Sequence, residues 1–250
     1  MSRGLVYDLP TRIFHWLFAG LFLTAFVITK TVDDESVTFS YHMIAGMTLS
    51  FLVVLRIIWG IVGTKHAKFS GFSLRPADLV SYMSGVFSGS TRRWAGHNPA
   101  SSWAAVIMMI IALSLGMTGF RMATGPENHD IKEIHEILAT LFMVVAVTHV
   151  LGIIVHTIRH KELIGLSMVD GKKENPASGQ TIGDPKNLFG IIGLVLVLAW
   201  GANLLAKFDP ATRSLNLFGT HLQLGEVEEE KNESENHGEG HKETESEEKD

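Results

Sequence analysis

The stretch HEILATLFMVVAVTH, residues 135–149, opens and closes on a histidine. At 1.5 Å per residue, the 14-residue step from His135 to His149 is about 21 Å of helix and close to four full turns. Both rings therefore leave the same face of one helix at two different depths. An ionisable group inside an apolar span is costly, so two on one face point to a function for that face.

The stretch lies in the fourth of five apolar runs, at residues 12–30, 41–62, 101–121, 134–157 and 188–206. Each is near the ~20 residues a helix needs to cross the hydrocarbon core. A membrane barrel would show short alternating strands instead, so the runs read as helices. The first apolar run is longer than a signal-peptide core, holds His15, and lacks a small-residue cleavage site after it. It reads as a retained span. With 46% hydrophobic residues over 250 positions, a soluble domain is the poorer description.

There are no cysteines. Cysteine-bound iron–sulfur clusters and covalent haem attachment through C-x-x-C-H are excluded. A redox group here needs other ligands, and the 12 histidines supply them. The net charge of −5 splits unevenly. Residues 226–250 hold 12 acidic and 3 basic side chains, or −9, which leaves the rest at −5 + 9 = +4. That acidic tail has almost no apolar residues and is expected to be disordered.

The connecting segments orient the helices. Lys65, Lys68, Arg75, Arg92 and Arg93 lie between the second and third runs, and Arg159, Lys161, Lys172 and Lys173 follow the fourth. Asp33, Asp34 and Glu35 follow the first run, and Glu127 and Asp130 the third. Basic segments favour the cytoplasmic side. The N-terminus is expected inside and, after five spans, the C-terminal tail outside.

Depth then pairs the histidines. His42 and His135 begin spans that enter from outside. His15 begins the first span on the inner side, and His149 lies about four turns below His135. The expected pairs are His42 with His135 at the outer face and His15 with His149 at the inner face. The third and fifth spans carry no such histidine and are expected to be packing elements. A flat macrocycle such as haem takes two axial ligands from facing helices, so two iron sites are expected. Gly46, one turn below His42, and Gly152, three residues after His149, leave room for a porphyrin, although glycines also serve plain helix contacts.

Two readings stay open at the inner site. His156, seven residues past His149 on nearly the same face, competes with it as partner to His15. Arg56, 14 residues after His42, reaches the inner depth. It either pairs with a haem propionate or snorkels to the interface beside Trp59. His129 is rotated off the ligating face. The methionines of the third span (Met108, Met109, Met117) and Met122 just after it read as lipid-facing or packing residues, with ligation a remote option, and the tryptophans mostly as interfacial or packing ones. No Walker motif, nucleophile elbow or dinucleotide fingerprint is present. The basic loops read as topology and lipid contacts, with no nucleic-acid partner expected.

Several stretches carry a family resemblance: Asp8-Leu9-Pro10-Thr11-Arg12 leading to His15-Trp16; His42 with Gly46; Arg56 with Trp59-Gly60 and Gly63; His66-Ala67-x-Phe69-Ser70; Gly96-His97-Asn98-Pro99; the His135 and His149 pair; and Leu166 to Lys173. Over about residues 5 to 173 the chain resembles the prokaryotic cytochrome b561 family, which includes the b-type cytochrome subunits of nickel–iron hydrogenases. The resemblance implies an all-α integral membrane protein: a four-helix bundle holding two b haems on the matching histidines, exchanging electrons with membrane quinone. The fifth span and the acidic tail depart from the simplest members.

The expected organisation is a dihaem transmembrane core over residues 1–173, a linker over 174–187, a fifth transmembrane helix over 188–206, an extracytoplasmic segment over 207–225 and the tail over 226–250. The expected function is an electron conduit of the bacterial inner membrane, between quinone and an extracytoplasmic hydrogenase or c-type cytochrome. The resemblance also allows a self-sufficient superoxide:ubiquinone oxidoreductase, against which the acidic outer loops argue. A metal or ion transporter using the intramembrane histidines is the other alternative. Arg92, Arg93 and His97 mark a quinone-site candidate by location alone.

Overall fold

A computed structural model describes residues 3–88, 96–161, 163–174, 176 and 179–225. In chain order its elements are β1 (Arg3–Leu5), α1 (Leu9–Thr31), α2 (Ser40–Val62), α3 (Pro76–Ser88), α4 (Pro99–Thr124), α5 (His129–His160), α6 (Ser167–Asp170), β2 (Lys172–Glu174), α7 (Asn187–Lys207), β3 (Phe208–Asp209), β4 (Ser214–Leu217) and β5 (Thr220–Gln223). The helices α1, α2, α4, α5 and α7 are long and apolar enough to cross a membrane. The chain is a multi-pass, mostly helical membrane protein. The acidic stretch over 226–250, with His237 and His241, lies outside the described residues, as do Arg92, Arg93 and Trp94.

The starts of three spans are written locally. The Asp8 carboxylate accepts from the Thr11 N–H at 2.9 Å, and Pro10 occupies the first turn, where no N–H is needed. Asn98 caps α4 through the Ser101 N–H at 2.8 Å, followed at once by Pro99. Asn128 caps α5 through the Ile131 N–H at 3.2 Å. That cap starts α5 at His129, before the apolar run begins, because its first turns are polar.

In the bundle α1 packs on α2, α2 on α4, and α4 on α5; α7 lies against both α1 and α2. α7 runs parallel to α1. The Leu9 N–H donates to Pro185 O at 2.8 Å, and a Cβ on Gly190 would stand 2.8 Å from Leu9 Cγ. Glycine is thus what lets the two helix starts touch. The far end of α7 therefore lies at the His42 end of the bundle.

There the chain forms a three-stranded antiparallel meander, β3-β4-β5, that the apolar pattern does not announce. Leu215, Leu217, Leu222 and Leu224 pack with Leu204 onto Ile44 of α2 and Ala123 of α4. Each buried leucine contributes roughly 2 kcal/mol. The β4–β5 turn, Phe218-Gly219, has both residues at positive φ, 51° and 83°, the geometry that a two-residue hairpin requires.

The opposite end is closed by the N-terminus. β1 pairs antiparallel with β2, and the Val6 and Tyr7 N–H groups donate to Gly171 O at 2.8 and 3.0 Å. Gly171 itself has φ +78°, and a Cβ there would stand 2.5 Å from Tyr7 O. β2 ends at Glu174, the first residue of the segment expected to be a linker. The helix α3 likewise lies inside the basic connection expected as a loop.

Candidate cofactor-binding sites

His42 sits in the first turn of α2 and His135 in the second turn of α5. Their ring centres are 6.1 Å apart and their planes differ by 73°. His42 donates from Nδ1 to Ala25 O of α1 at 2.9 Å. A carbonyl only accepts, so the proton is on Nδ1 and Nε2 carries a lone pair. At His135 the partner of Nδ1 is Thr118 Oγ1 of α4, at 2.8 Å. The Thr118 hydroxyl faces Ser114 O at 3.0 Å and Leu115 O at 3.1 Å, which take its proton. Its oxygen is left to accept from His135 Nδ1–H, and Nε2 is again the free nitrogen.

Both rings are therefore held in the tautomer and orientation of a metal-ligating histidine. A metal bonded by one nitrogen of each ring at about 2 Å, with about 1.2 Å from nitrogen to ring centre, separates the centres by about 6.4 Å. The observed 6.1 Å fits that value. A Cβ on Gly46 or Gly152 would meet nothing within 4 Å, and one on Gly119 would meet only His135 Cε1, at 3.7 Å. Gly46 and Gly119 thus leave space beside the outer rings, and Gly152 leaves it one turn from His149. The donor set and the space fit a haem group.

The second pair is looser. His15 lies on α1 and His149 on α5, about four turns past His135. Among the described residues neither ring makes a hydrogen bond, and no ring contact joins them. His15 meets Trp16 edge-on at 5.4 Å, and Trp16 Nε1 donates to Met168 O at 2.9 Å. His156 lies two turns further along α5.

Arg56 is turned into the protein, with 4% of its surface exposed. Nη2 donates to Ala67 O at 3.0 Å, and the guanidinium lies over Phe14 and Phe69, 5.6 and 5.1 Å from the ring centres. Nη1 is buried with no hydrogen-bond partner. An orphaned cationic N–H at this depth fits an anionic group beside the inner histidines.

Below Arg56 lies a polar layer of which only pieces were readable in sequence. Asp8 is fully buried. Besides capping α1 it accepts from Thr64 Oγ1 at 2.6 Å and Trp59 Nε1 at 3.1 Å, which fastens α1 to the end of α2. His66 Nε2 bonds Gln180 O at 2.7 Å, and Lys173 Nζ donates to Gly96 O at 2.8 Å while lying 5.3 Å from the Tyr7 ring centre. His97 packs between Tyr7 and Phe72, at 5.4 and 4.6 Å. Burial pushes its pKa down to about 3, helped by the charges of Arg56, Lys173, His66 and His149. Burial also lowers His66 and raises Tyr7. Of the quinone-site candidates, His97 is thus a neutral, packed ring. Thr118 carries no sequence signal beyond a hydroxyl inside an apolar span.

The sequence profile of the prokaryotic cytochrome b561 family matches residues 6–171, which takes in α1 to α6 and stops before α7. A probable Ni/Fe-hydrogenase B-type cytochrome subunit of Rhizobium leguminosarum bv. viciae is 23% identical over 216 residues, covering 67% of this chain and 87% of its own. A probable Ni/Fe-hydrogenase 1 B-type cytochrome subunit of Escherichia coli (strain K12) is 26% identical over 142 residues, 47% of this chain and 59% of its own. No solved structure matches.

Proposed function

The chain belongs to the prokaryotic cytochrome b561 family, and on that premise we propose that it is a two-haem conduit passing electrons between membrane quinone and a redox partner at the His42 end. Membership itself makes it a b-type cytochrome of membrane electron transfer. The finer reading assigns His42 and His135 to an outer haem iron and His15 and His149 to an inner one. The observation that carries it is the outer pair, with both Nδ1 atoms engaged and both Nε2 atoms free.

When bound, each haem supplies a one-electron couple between ferrous and ferric iron. The chain's residues do the rest. Ala25 O and Thr118 Oγ1 fix the two outer rings. Gly46 and Gly152 keep space beside the helices. Arg56 Nη1 is assigned to a propionate of the inner haem. His149 is preferred to His156 because His156 lies about 10 Å further along α5, past the depth that pairs with His15.

The membrane is the bacterial inner membrane, with the N-terminus cytoplasmic. The basic Lys65, Lys68, Arg75 and Lys173 support this orientation, lying beyond the inner ends of the spans, while Asp33, Asp34, Glu35 and Asp130 lie at the other. Residue 225 and the tail after it are then periplasmic, since the meander packs onto the start of α2. The relatives' names favour a hydrogenase partner; a c-type cytochrome is the alternative.

Full-length protein purified in detergent tests this. Two b haems per chain with low-spin, bis-histidine spectra, reduced by an added quinol, are expected. One haem per chain, or haems that a quinol does not reduce, would contradict the reading.

A further inference from the structure

Phe142 stands seven residues from His135 and seven from His149. Seven residues are about two turns and 10.5 Å, so its ring leaves nearly the same face as both, halfway between them. Its ring is 1% exposed. Among the described side chains of α5 it alone is buried.

The backbones of α1 and α5 are not closely packed among the described residues, and Phe142 crosses the gap between them. Its ring centre lies 4.0 Å from that of Phe22 and 5.7 Å from that of Phe18, both of α1. Phe18 continues to Phe14 at 5.3 Å, which lies under Arg56. Phe22 continues to Phe26 at 6.1 Å, next to Ala25, whose carbonyl holds His42. Phe14, Phe18, Phe22 and Phe26 repeat every four residues and form one ridge of α1 about 18 Å long. The rings thus form one continuous chain along α1, from Phe14 beside Arg56 to Phe26, with Phe142 packed at its middle.

Resting on the two-haem reading, we propose that Phe142, clasped by Phe18 and Phe22, is a positioning residue for electron transfer between the haems. It holds the two sites apart as a dry partition and fills the path between them with packed atoms. One electron crosses: the iron it leaves goes from ferrous to ferric, the iron it reaches from ferric to ferrous, and no proton or bond moves.

The test uses full-length Phe142→Leu and Phe142→Ala, with Val53→Ala as control. Val53 is 0% exposed in the same core cluster but is no part of the ring chain. Haem content, melting temperature, both midpoint potentials and the rate of equilibration between the haems after flash reduction are measured. Leucine keeps most of the apolar volume. The Phe142→Leu protein should hold two haems at unchanged potentials, yet equilibrate about tenfold more slowly because packed contacts along the path are lost. Phe142→Ala should be slower still. Val53→Ala should melt earlier without slowing.

If Phe142→Leu does not fold, the Phe18→Leu, Phe22→Leu double variant takes its place with the same expectation. Two haems with an unchanged equilibration rate would overturn the inference and leave the two-haem reading standing. A single haem per chain would remove that reading, and the inference with it.

Discussion

His135 Nδ1 and Thr118 Oγ1 meet at 2.8 Å across the α4–α5 contact, with the histidine as donor. The bond fixes the tautomer that leaves Nε2 free, and it makes the imidazole a better electron donor to a bound metal. Thr118→Val keeps the side-chain shape and removes the acceptor. The variant is expected to hold the outer haem roughly 10–100-fold less tightly and to raise its midpoint potential, because ferric iron loses the more basic ligand. Haem titration and redox titration check this, with the inner haem unchanged.

Arg56 makes the complementary prediction at the other end. A buried positive charge disfavours the ferric state, so Arg56→Gln should lower the inner midpoint, by about 60 mV for each tenfold change in the one-electron equilibrium. The outer midpoint should stay where it is. Equal shifts at both haems, or none, would separate Arg56 from the inner site.

Asp8 is expected to matter for stability alone. Asp8→Ala removes the α1 cap and leaves the Trp59 N–H and the Thr64 hydroxyl without their acceptor. The loss should be about 3 kcal/mol, read as a lower melting temperature in detergent with outer-haem spectra retained.

The readable part of this chain was what repeats along a helix. Five spans and the 14-residue step from His135 to His149 follow from local chemistry. What was not readable depends on distant chain. β2 exists because Arg3–Leu5 returns to pair with it, and the meander because Leu215 and Leu222 find Ile44 and Ala123. Thr118 has no pattern linking it to His135, 17 residues away. Arg56 was legible as a charge at the right depth, but its inward turn toward Ala67 O needed the structure.

His97 gives a pH dependence. Its pKa is about 3 in the folded protein, against about 6.5 for a free histidine. Between those values the unfolded chain binds the extra proton, so stability falls as pH drops from about 6.5 toward 3. The lowered His66 acts in the same direction. Melting temperatures from pH 8 to pH 4 should fall less steeply for His97→Gln than for the native chain. Parallel curves would show that the ring does not stay neutral in the fold.

A histidine series with haem counting and redox-resolved spectra is the most direct measurement of the central claim. His42→Ala and His135→Ala should each lose the same haem, and His15→Ala and His149→Ala the other, leaving one low-spin haem in every variant. The account is contradicted if His42→Ala and His135→Ala lose different haems, or if His149→Ala keeps both while His156→Ala loses the one that depends on His15.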